Sequence, residues 1–337
     1  MVTRIGINGF GRIGRQVFKA IKERHPDEIE VVAINDLVDH KTNAHLLKYD
    51  STYGQYPGTV EAGEGGLIVD GKPIAITAER EPGRIPWGDR GIEIVMEGTG
   101  FFTDANLARA HIHDTVKKVV ISAPAKNEDG TFVLGVNADK YDPSKHQVIS
   151  NASCTTNGLA PVVKVLVDTF GLVKGQMTTV HSYTNTQKLL DVQASDLRDA
   201  RAAALNIVPS STGAARALRL VIPEVDGKLD GASYRVPTPT VSIVEVVALI
   251  AKSTTVEEIN EAMRAAANGP MKGILGVSDE PLVSMDFKGD TRSSIVDAST
   301  TNVVGGDLVK VAAWYDNEWG YSCRMSDMLA FVASKGL

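Results

Sequence analysis

The sequence is poor in cysteine: Cys154 and Cys323 are the only two among its 337 residues. Two cysteines cannot form a disulfide framework for a chain of this length. A disulfide-rich secreted fold is therefore excluded, and a reducing compartment is expected. The chain also lacks an apolar run long enough to cross a bilayer, and its start, from Val2 to Ile7, reads as a strand rather than a secretory leader. We therefore expect a cytoplasmic protein with no membrane partner and with a thiol available for chemistry.

An excess of positive charge is missing as well. Lys and Arg number 35 against 41 Asp and Glu, which gives a net charge of -6. Without a global basic field, no nucleic-acid partner is expected. The histidines, including His111 and His113, lack enough nearby ligand types to predict a metal site. Any bound anion must therefore be held by local groups.

The length predicts two domains. The first half alternates β-branched runs with helical stretches: strands are predicted over 30–35, 92–96, 118–122 and 147–150, and a helix over 12–24. This alternation is typical of a Rossmann-type, doubly wound parallel sheet in an α/β protein. The second half, with strands over 177–183 and 241–250, predicts an α+β domain with a mixed or antiparallel sheet. The capping-box pair Thr255 and Glu258 predicts a helix through about residue 267, and a closing helix follows Tyr321.

A glycine fingerprint follows the first strand directly, with Gly9, Gly11 and Gly14 in the spacing GxGxxG. Glycine permits the tight turn, the close approach of a pyrophosphate and the packing of helix on strand, and the helix N-terminus supplies amides to phosphate. Asp36 ends the second predicted strand. Its carboxylate can accept hydrogen bonds from the adenine-ribose hydroxyls, and it would repel a 2′-phosphate. Taken alone, a glycine triplet is usually a structural turn with no ligand, and Asp36 would be an ordinary solvated aspartate at the end of a strand. Strand, helix and aspartate together predict a dinucleotide site that favours NAD over NADP.

Cys154 lies in a run of small polar residues, 150–157, that precedes apolar residues at helical spacing. The spacing predicts a helix that starts near Cys154, and Pro161 predicts either a kink or a second helix start. A helix N-terminus or a nearby imidazolium lowers a thiol pKa from about 8.5. His181, near the end of the strand 177–183, is the candidate base for this thiol. By residue type alone Cys154 would be a buried apolar group and His181 a structural residue, and for Cys323 in the closing helix a packed or exposed position is all that is expected.

Several longer segments carry a family resemblance. In one order over nearly the whole chain come INGFGRIGR (7–15), HLLKYDS (45–51), SNASCTTN (150–157), PSSTGAA (209–215), RVPTP (235–239) and WYDNEWGYS (314–322). They resemble the phosphorylating glyceraldehyde-3-phosphate dehydrogenases, and the run 152–157 is highly specific. The resemblance implies oxidation of D-glyceraldehyde 3-phosphate to 1,3-bisphosphoglycerate with NAD reduction, in glycolysis and gluconeogenesis. Cys154 would form a hemithioacetal and then a thioester, His181 would act as base, inorganic phosphate would take the acyl group, and the assembly would be a homotetramer.

The resemblance also implies roles for individual residues. Thr184 and Arg235 match the residues that hold the substrate phosphate, and a second group matches those that hold the attacking phosphate: Ser153, Thr155, Thr212 and Gly213. The cofactor residues are Gly9, Gly11, Arg12, Ile13, Gly14, Asp36, Arg80, Ser122 and Asn317, with Asn317 placed at the nicotinamide amide. The predicted domains are an NAD-binding domain of residues 1–153, completed by a C-terminal helix 318–337, and a catalytic domain of residues 154–317.

The chain departs from the family pattern in two places. NAD-specific relatives often carry a proline-containing pair where residues 190–194 read LDVQA, which leaves use of NADP open. Many bacterial relatives have paired arginines where this chain has Arg198 and Asp199. The alternatives are an NADP-using form of the same enzyme, an erythrose-4-phosphate dehydrogenase in which water resolves the thioester, and a non-enzymatic binding protein on the same fold.

Overall fold

The computed structural model of the protein describes residues 2–337. Its helices are α1 Arg12–Arg24, α2 His40–Lys48, α3 Ala105–Ala108, α4 Cys154–Phe170, α5 Ala214–Val221, α6 Val256–Asn268 and α7 Trp319–Ser334. Its strands up to residue 150 are β1 Thr3–Asn8, β2 Ile29–Asn35, β3 Tyr49–Asp50, β4 Gly54–Gln55, β5 Val60–Gly63, β6 Gly66–Val69, β7 Lys72–Thr77, β8 Ile94–Glu97, β9 Lys118–Ile121, β10 Gly130–Thr131 and β11 Val148–Ser150. The later strands are β12 Leu172–Ser182, β13 Val208–Ser210, β14 Leu229–Val236, β15 Ser242–Ile250, β16 Leu275–Ser278, β17 Ser294–Asp297, β18 Asn302–Val304 and β19 Leu308–Tyr315.

These elements form two compact units. The first comprises residues 1–132, 139–152 and 322–337, and the second comprises residues 133–138 and 153–321. The first unit contains a sheet in the order β10-β11-β9-β8-β1-β2-β7-β6-β5. Its strands from β10 to β7 pair in parallel, and β6 and β5 extend it antiparallel.

Strand β1 lies between β8 and β2 in the middle of this sheet, and its inner residues are fully buried. A strand covered on both faces is largely apolar, and every residue of Ile94–Glu97 and Lys118–Ile121 is buried, with one charged residue at an end of each. The helix predicted over 12–24 is confirmed as α1. The polar turn after β1 and the end of β2 therefore meet at one edge of the sheet.

The second unit contains a mixed sheet in the order β13-β14-β12-β15-β19-β17-β16, with β18 paired to β19. Strands β12 and β14 run parallel, whereas β12 with β15 and β15 with β19 run antiparallel. Helix α4 packs against β15, β17 and β19. The predicted fold class, a doubly wound sheet plus an α+β domain with a mixed sheet, is confirmed.

The structure confirms two helices predicted in the second half of the chain and corrects the prediction for Pro161. Thr255 caps α6, because its side chain accepts from the Glu258 amide while the Glu258 carboxylate accepts from the Thr255 amide. The closing helix is α7, and Cys323 within it is fully buried. Pro161 lies inside α4, which runs unbroken from Cys154 to Phe170, so the alternative of a second helix start is wrong. Pro161 has no amide to donate to the Asn157 carbonyl, so the helix lacks one backbone hydrogen bond there.

Candidate active site

The candidate nucleophile, Cys154, is the first residue of α4, as predicted. Ser153 caps the helix: its Oγ accepts from the Thr156 amide at 3.0 Å and contacts Thr156 Oγ1 at 2.8 Å. Serine is a favoured N-cap because its extended backbone and short hydroxyl satisfy an otherwise unpaired amide. The sulfur is thereby fixed at the positive end of the helix dipole.

His181 faces this sulfur from the end of β12. Its Nε2 lies 3.5 Å from Cys154 Sγ, and its Nδ1 lies 2.7 Å from the carbonyl oxygen of Ser182. We assign the proton to Nδ1, where the Ser182 carbonyl oxygen accepts it, and a lone pair to Nε2; the Arg235 guanidinium, which only donates, lies against the same Nδ1 and opposes this tautomer. In the assigned tautomer His181 can remove the proton of the Cys154 thiol.

Arg235 reaches the same pair from the neighbouring strand β14. In the parallel register of β12 and β14 it is the direct partner of His181. Its guanidinium lies against His181 Nδ1 and donates to the Ser182 carbonyl oxygen at 3.2 Å. The Ser182 oxygen has two lone pairs, so it accepts from both side chains. A permanent positive charge thus lies beside the imidazole.

Burial dominates the electrostatics of this pair. It raises the pKa of the Cys154 thiol, and the positive charge of Arg235 opposes that rise. Burial and the Arg235 charge together lower the pKa of His181 to about 3. Cys154 is half-buried, whereas His181 is buried. Burial therefore opposes the predicted ionisation of the thiol by a neighbouring imidazolium, and that ionisation stays a prediction.

Backbone strain occurs next to His181. Val241 has φ of 65°, a left-handed conformation that a β-branched residue rarely adopts. Its carbonyl accepts from Ser182 Oγ at 2.8 Å, and Ser242 Oγ accepts from the Ser182 amide at 3.0 Å. Such strain costs on the order of 1–3 kcal/mol and is found where surrounding contacts enforce it. Here those contacts hold the end of β12, and with it the imidazole.

The predicted phosphate residues are distributed over several elements of the second unit. Ser153 and Thr155 flank Cys154, while Thr212 and Gly213 precede α5, which packs against α4. A Cβ on Gly213 would meet no atom within 4 Å, so its backbone is open to a ligand. Arg235 lies at the imidazole, as described above.

Thr184 comes just after β12 and is turned toward a buried glutamine. Both its amide and its hydroxyl contact Gln187 Oε1, at 3.0 and 3.2 Å. Gln187 Nε2 in turn donates to Asp199 Oδ1 at 2.8 Å. Asp199 therefore supports the segment that carries Thr184. The sequence identified Asp199 as a departure from the family but not Gln187 as its partner.

Tyr315, at the end of β19, was not identified from the sequence. Its hydroxyl contacts Thr155 Oγ1 and Thr179 Oγ1, both at 2.9 Å. Its ring meets that of His181 edge-on, with centroids 5.9 Å apart. Tyr315 is therefore part of the wall behind both catalytic candidates, and its position in the segment 314–322 was the only sequence signal.

The glycine fingerprint lies in the first unit, between β1 and α1. Gly9 has φ of 91°, and a Cβ there would approach the Thr99 amide to 2.7 Å. A Cβ on Gly14 would overlap the Gly9 carbonyl oxygen, whereas one on Gly11 would meet no atom within 4 Å. The first and third glycines are thus required by the turn, and the second leaves its backbone open. This cradle fits a dinucleotide pyrophosphate.

Asp36 follows β2 and is anchored to the same turn. Its Oδ2 accepts from the Phe10 amide at 2.6 Å, and its Oδ1 accepts from the Val38 amide at 2.9 Å. The structure thus brings together the carboxylate and the glycines that the sequence linked only by spacing. An ionised carboxylate held by two amides is suited to accept further hydrogen bonds from ribose hydroxyls.

The other predicted cofactor residues are more scattered. Arg12 and Ile13 begin α1, and Arg12 pairs with Asp50 at 3.3 Å. Arg80 is exposed, and Ser122 follows β9, where its amide donates to the Glu97 carbonyl at 2.9 Å. In the second unit, Asn317 is buried. Its Oδ1 accepts from Ser242 Oγ at 2.9 Å, which fixes the orientation of its amide.

Residues 2–337 contain neither a candidate membrane span nor a candidate metal site. None of the helices in this range combines the length and the apolar character that a bilayer span requires. Within the same range, no group of three or more His, Cys, Asp or Glu side chains is arranged to hold a metal ion.

Comparison with known proteins connects both units to one family. Residues 153–317 match the family model of the glyceraldehyde 3-phosphate dehydrogenase C-terminal domain, and residues 3–105 match that of its NAD binding domain. The chain is 58% identical over 337 residues to glyceraldehyde-3-phosphate dehydrogenase of Geobacillus stearothermophilus, and 57% identical to that of Priestia megaterium, with 100% of each chain covered. It is 55% identical to glyceraldehyde-3-phosphate dehydrogenase 2 of Trichormus variabilis, with 99% of each chain covered.

Proposed function

The chain belongs to the glyceraldehyde-3-phosphate dehydrogenase family, and on that premise we propose that it oxidises D-glyceraldehyde 3-phosphate to 1,3-bisphosphoglycerate with NAD and inorganic phosphate. It is an NAD-dependent oxidoreductase of glycolysis. The observation that carries the assignment of its chemistry is the 3.5 Å contact between Cys154 Sγ and His181 Nε2. We assign Cys154 as nucleophile and His181 as base.

The first half of the reaction forms a thioester. Cys154 sulfur attacks the aldehyde carbon, its proton passes to His181 Nε2, and that proton then moves to the carbonyl oxygen to give a hemithioacetal. His181 next removes the hydroxyl proton while hydride leaves the carbon, so that an acyl group remains on the sulfur. Bound NAD supplies the hydride acceptor for this step. The neutral tautomer of His181 has the free lone pair that both proton transfers require.

The second half releases the product. An oxygen of inorganic phosphate attacks the acyl carbon, the C–S bond breaks, and the thiolate of Cys154 recovers a proton from His181. Negative charge on the carbonyl oxygen is met by the Cys154 amide, at the start of α4, and by protonated His181. Because phosphate rather than water takes the acyl group from the thioester, the energy of the oxidation is conserved in the acyl phosphate.

Two anion pockets accompany this mechanism. Thr184 and Arg235 hold the substrate phosphate, and Arg235 suits that role because its planar donors match phosphate oxygens. The attacking phosphate is held by the residues around the starts of α4 and α5, namely Ser153, Thr155, Thr212 and Gly213. The open backbone at Gly213 supports this second assignment.

The residues for NAD are assigned in the same way. The turn and the start of α1 hold the pyrophosphate through Gly9, Gly11, Arg12, Ile13 and Gly14. Asp36 takes the adenine ribose, and its charge favours NAD over NADP. Arg80 and Ser122 contribute further contacts on the first unit, and Asn317 binds the nicotinamide amide. We propose the domains that the sequence predicts: residues 1–153 with 318–337 form the NAD-binding domain, and residues 154–317 form the catalytic domain.

A single assay tests the reaction. Purified protein is mixed with glyceraldehyde 3-phosphate and NAD, with inorganic phosphate present or omitted, and NADH is followed by absorbance. We expect sustained NADH formation only with phosphate, since the thioester otherwise persists. Equal rates with and without phosphate would contradict the assignment and favour hydrolysis of the thioester by water, as in the erythrose-4-phosphate dehydrogenase alternative.

We also propose a homotetramer in the cytoplasm. The segment after Thr184 carries large apolar side chains that are 69–83% exposed in the isolated chain, namely Leu189, Leu190, Leu197, Leu205 and Ile207. Exposed apolar groups in such number favour burial against another copy. A reducing compartment suits a nucleophile that must stay a free thiol. Light scattering that gave the mass of one chain would contradict the tetramer, and cell fractionation tests the location.

A further inference from the structure

Both hydrogen-bond donors of Thr184 are held by a single side chain of the second unit. The Thr184 amide and hydroxyl donate to Gln187 Oε1, at 3.0 and 3.2 Å, and the Gln187 amide donates back to the Thr184 carbonyl oxygen at 3.1 Å. The Thr184 hydroxyl also accepts from the Thr186 amide at 3.4 Å. Since a threonine hydroxyl has only one proton, Gln187 competes with any bound anion for the donors of Thr184.

Asp199 fixes the orientation of this glutamine. Gln187 Nε2 donates to Asp199 Oδ1 at 2.8 Å, while Gln187 Oε1 faces the Thr184 amide. A carboxylate only accepts and a backbone amide only donates, so the nitrogen and the oxygen of the Gln187 side chain cannot exchange places. Gln187 is buried, which leaves water little access to replace these partners. Asp199 therefore keeps the glutamine oxygen on Thr184.

The negative charge of Asp199 is not neutralised by a neighbour. Arg201, two residues later, pairs with Asp191 at 2.9 Å, and across residues 2–337 the Asp199 carboxylate forms no salt bridge. Only the side-chain amide of Gln187 separates this carboxylate from the Thr184 hydroxyl, so the two groups lie within one Debye length of physiological salt, about 8 Å. A phosphate monoester held by Thr184 is itself negative, so Asp199 repels it.

The cation of the proposed substrate pocket comes from Arg235. Thr184 follows Ser182 by two residues, and the Ser182 carbonyl oxygen accepts from the Arg235 guanidinium at 3.2 Å. Arg235 is half-buried, so part of it can still meet a ligand. One arginine thus attracts the substrate phosphate while one aspartate repels it. The affinity of this pocket for phosphate therefore depends on Asp199 as well as on Arg235.

We propose that Asp199 and Gln187 are positioning residues that weaken the binding of phosphate at Thr184 and thereby lower the preference of the protein for a phosphorylated aldehyde over an unphosphorylated one. When the substrate phosphate binds, the Thr184 hydroxyl turns from Gln187 to a phosphate oxygen, while the Thr184 amide stays on Gln187. No covalent bond changes in this step. The proposal rests on the proposed function, in which Thr184 and Arg235 hold the substrate phosphate.

The test measures how well glycerol 3-phosphate protects Cys154 from alkylation by iodoacetamide, an uncharged reagent, read at that residue by peptide mass spectrometry. Glycerol 3-phosphate carries the phosphate but no aldehyde, so it cannot react with the thiol. In Asp199→Asn an oxygen still accepts from Gln187, and only the charge is lost. We expect the half-protecting concentration to fall by roughly three- to tenfold. An unmoved or higher concentration would overturn the proposal.

Exchanging the acid and the amide should reverse the sign of the effect. In the double variant Gln187→Glu with Asp199→Asn, the new carboxylate accepts from Thr184 and from the new amide. Every hydrogen bond is kept, while the charge moves one group closer to Thr184. The half-protecting concentration should therefore rise above that of the wild type, and a fall would contradict repulsion as the cause. In 1 M KCl, where the Debye length is about 3 Å, the gap between Asp199→Asn and the wild type should close. A gap of the same size there would mean a structural role and refute the proposal.

Three controls identify the pocket and the charge. Asp196→Asn is the matched variant, because Asp196 is an exposed carboxylate of the same segment that accepts from the Arg198 amide at 2.8 Å, and it should leave the concentration unchanged. Thr184→Val should raise the concentration, and no rise would mean that the probe protects from another pocket, which ends the proposal. Glycerol without phosphate should show no difference between the variants.

The consequence for specificity is measured by turnover. In Asp199→Asn the ratio of kcat/KM for glyceraldehyde 3-phosphate over that for glyceraldehyde should rise by the same factor, through KM rather than kcat. Protection of Cys154 needs no turnover. An inactive protein with the expected order of concentrations would therefore refute the proposed function but not the effect of Asp199 on anion binding. An active dehydrogenase whose concentrations and ratio do not move would refute the effect of Asp199 alone.

Discussion

Replacing Asp36 by asparagine tests how the protein distinguishes NAD from NADP. The carboxylate of Asp36 accepts from the amides of Phe10 and Val38, at 2.6 and 2.9 Å. Asparagine keeps the shape and one oxygen acceptor, so the glycine turn retains an anchor while the negative charge is lost. Alanine would leave both amides without that partner and would mix loop disorder with the electrostatic effect. Asp36→Asn is therefore the sharper variant.

The size of the effect follows from two terms. Unit charges about 4 Å apart repel by roughly 1 kcal/mol in water and roughly 4 kcal/mol at an effective dielectric of 20. Asp36 is half-buried, so relief of about 1–2 kcal/mol is expected for the 2′-phosphate of NADP. For NAD, exchanging a charged acceptor for a neutral one costs about 1 kcal/mol. Together these terms shift the ratio of kcat/KM for NAD over NADP by roughly 30- to 140-fold toward NADP.

The assay compares kcat/KM for the two cofactors at saturating glyceraldehyde 3-phosphate and phosphate. Asp39→Asn is the matched control, because Asp39 is an exposed carboxylate nearby that accepts from the amides of Lys41 and Thr42, both at 3.0 Å. Its loss should affect the cap of α2 but not the cofactor ratio. An unchanged ratio in Asp36→Asn would refute the electrostatic reasoning, and equal losses for both cofactors would reduce Asp36 to an anchor of the loop.

Three further predictions follow from the same structure. Cys154→Ser should abolish turnover yet leave the affinity for NAD in a fluorescence titration unchanged, since the glycine fingerprint belongs to the other unit; substantial NADH production would exclude the covalent route. His181→Gln should slow the first turnover by roughly 10²- to 10⁴-fold in rapid-mixing experiments, as loss of a general base does, and a loss below tenfold would contradict its role. Burial raises the pKa of Asp327, but hydrogen bonds from His25 and Arg24 outweigh burial and bring it to about 2. A carboxyl with a lowered folded-state pKa stabilises the fold above its unfolded value near pH 4, so about 2 kcal/mol of unfolding free energy should disappear between pH 4 and pH 2. Asp327→Asn should flatten this pH dependence in denaturant titrations, and an unaltered slope would contradict it.

The glycine turn could be predicted from sequence because its determinants are local. Gly9, Gly11 and Gly14 lie between a strand and a helix that the periodicity identifies, and backbone sterics decide where a side chain is forbidden. Asp36 was linked to them by spacing alone, yet parallel strands place their carboxyl ends at one edge, so proximity was expected. The hydrogen bond from the Phe10 amide to Asp36 was not predictable, since it depends on the exact turn geometry.

The catalytic pair was predictable in identity but not in geometry. Cys154 and His181 are 27 residues apart, and only the return of the chain from α4 to β12 determines that they meet. Arg235 is further away in sequence and reaches the imidazole because β12 and β14 pair in parallel with that register. Strand pairing across long separations leaves no local pattern, so Arg235 could be assigned as a site residue only by family resemblance, and its place beside His181 was not predicted.

The pKa values of Cys154 and His181 depend on their burial, which the local sequence motif does not determine. The sequence supplied a helix N-terminus and an imidazole, both of which lower a thiol pKa, whereas burial raises it and suppresses protonation of His181. Burial depends on residues from distant strands, such as Tyr315, which in sequence reads as one more packing residue at the end of β19. The sequence therefore identifies the two residues, whereas the burial that shifts their pKa values depends on how distant strands pack around them.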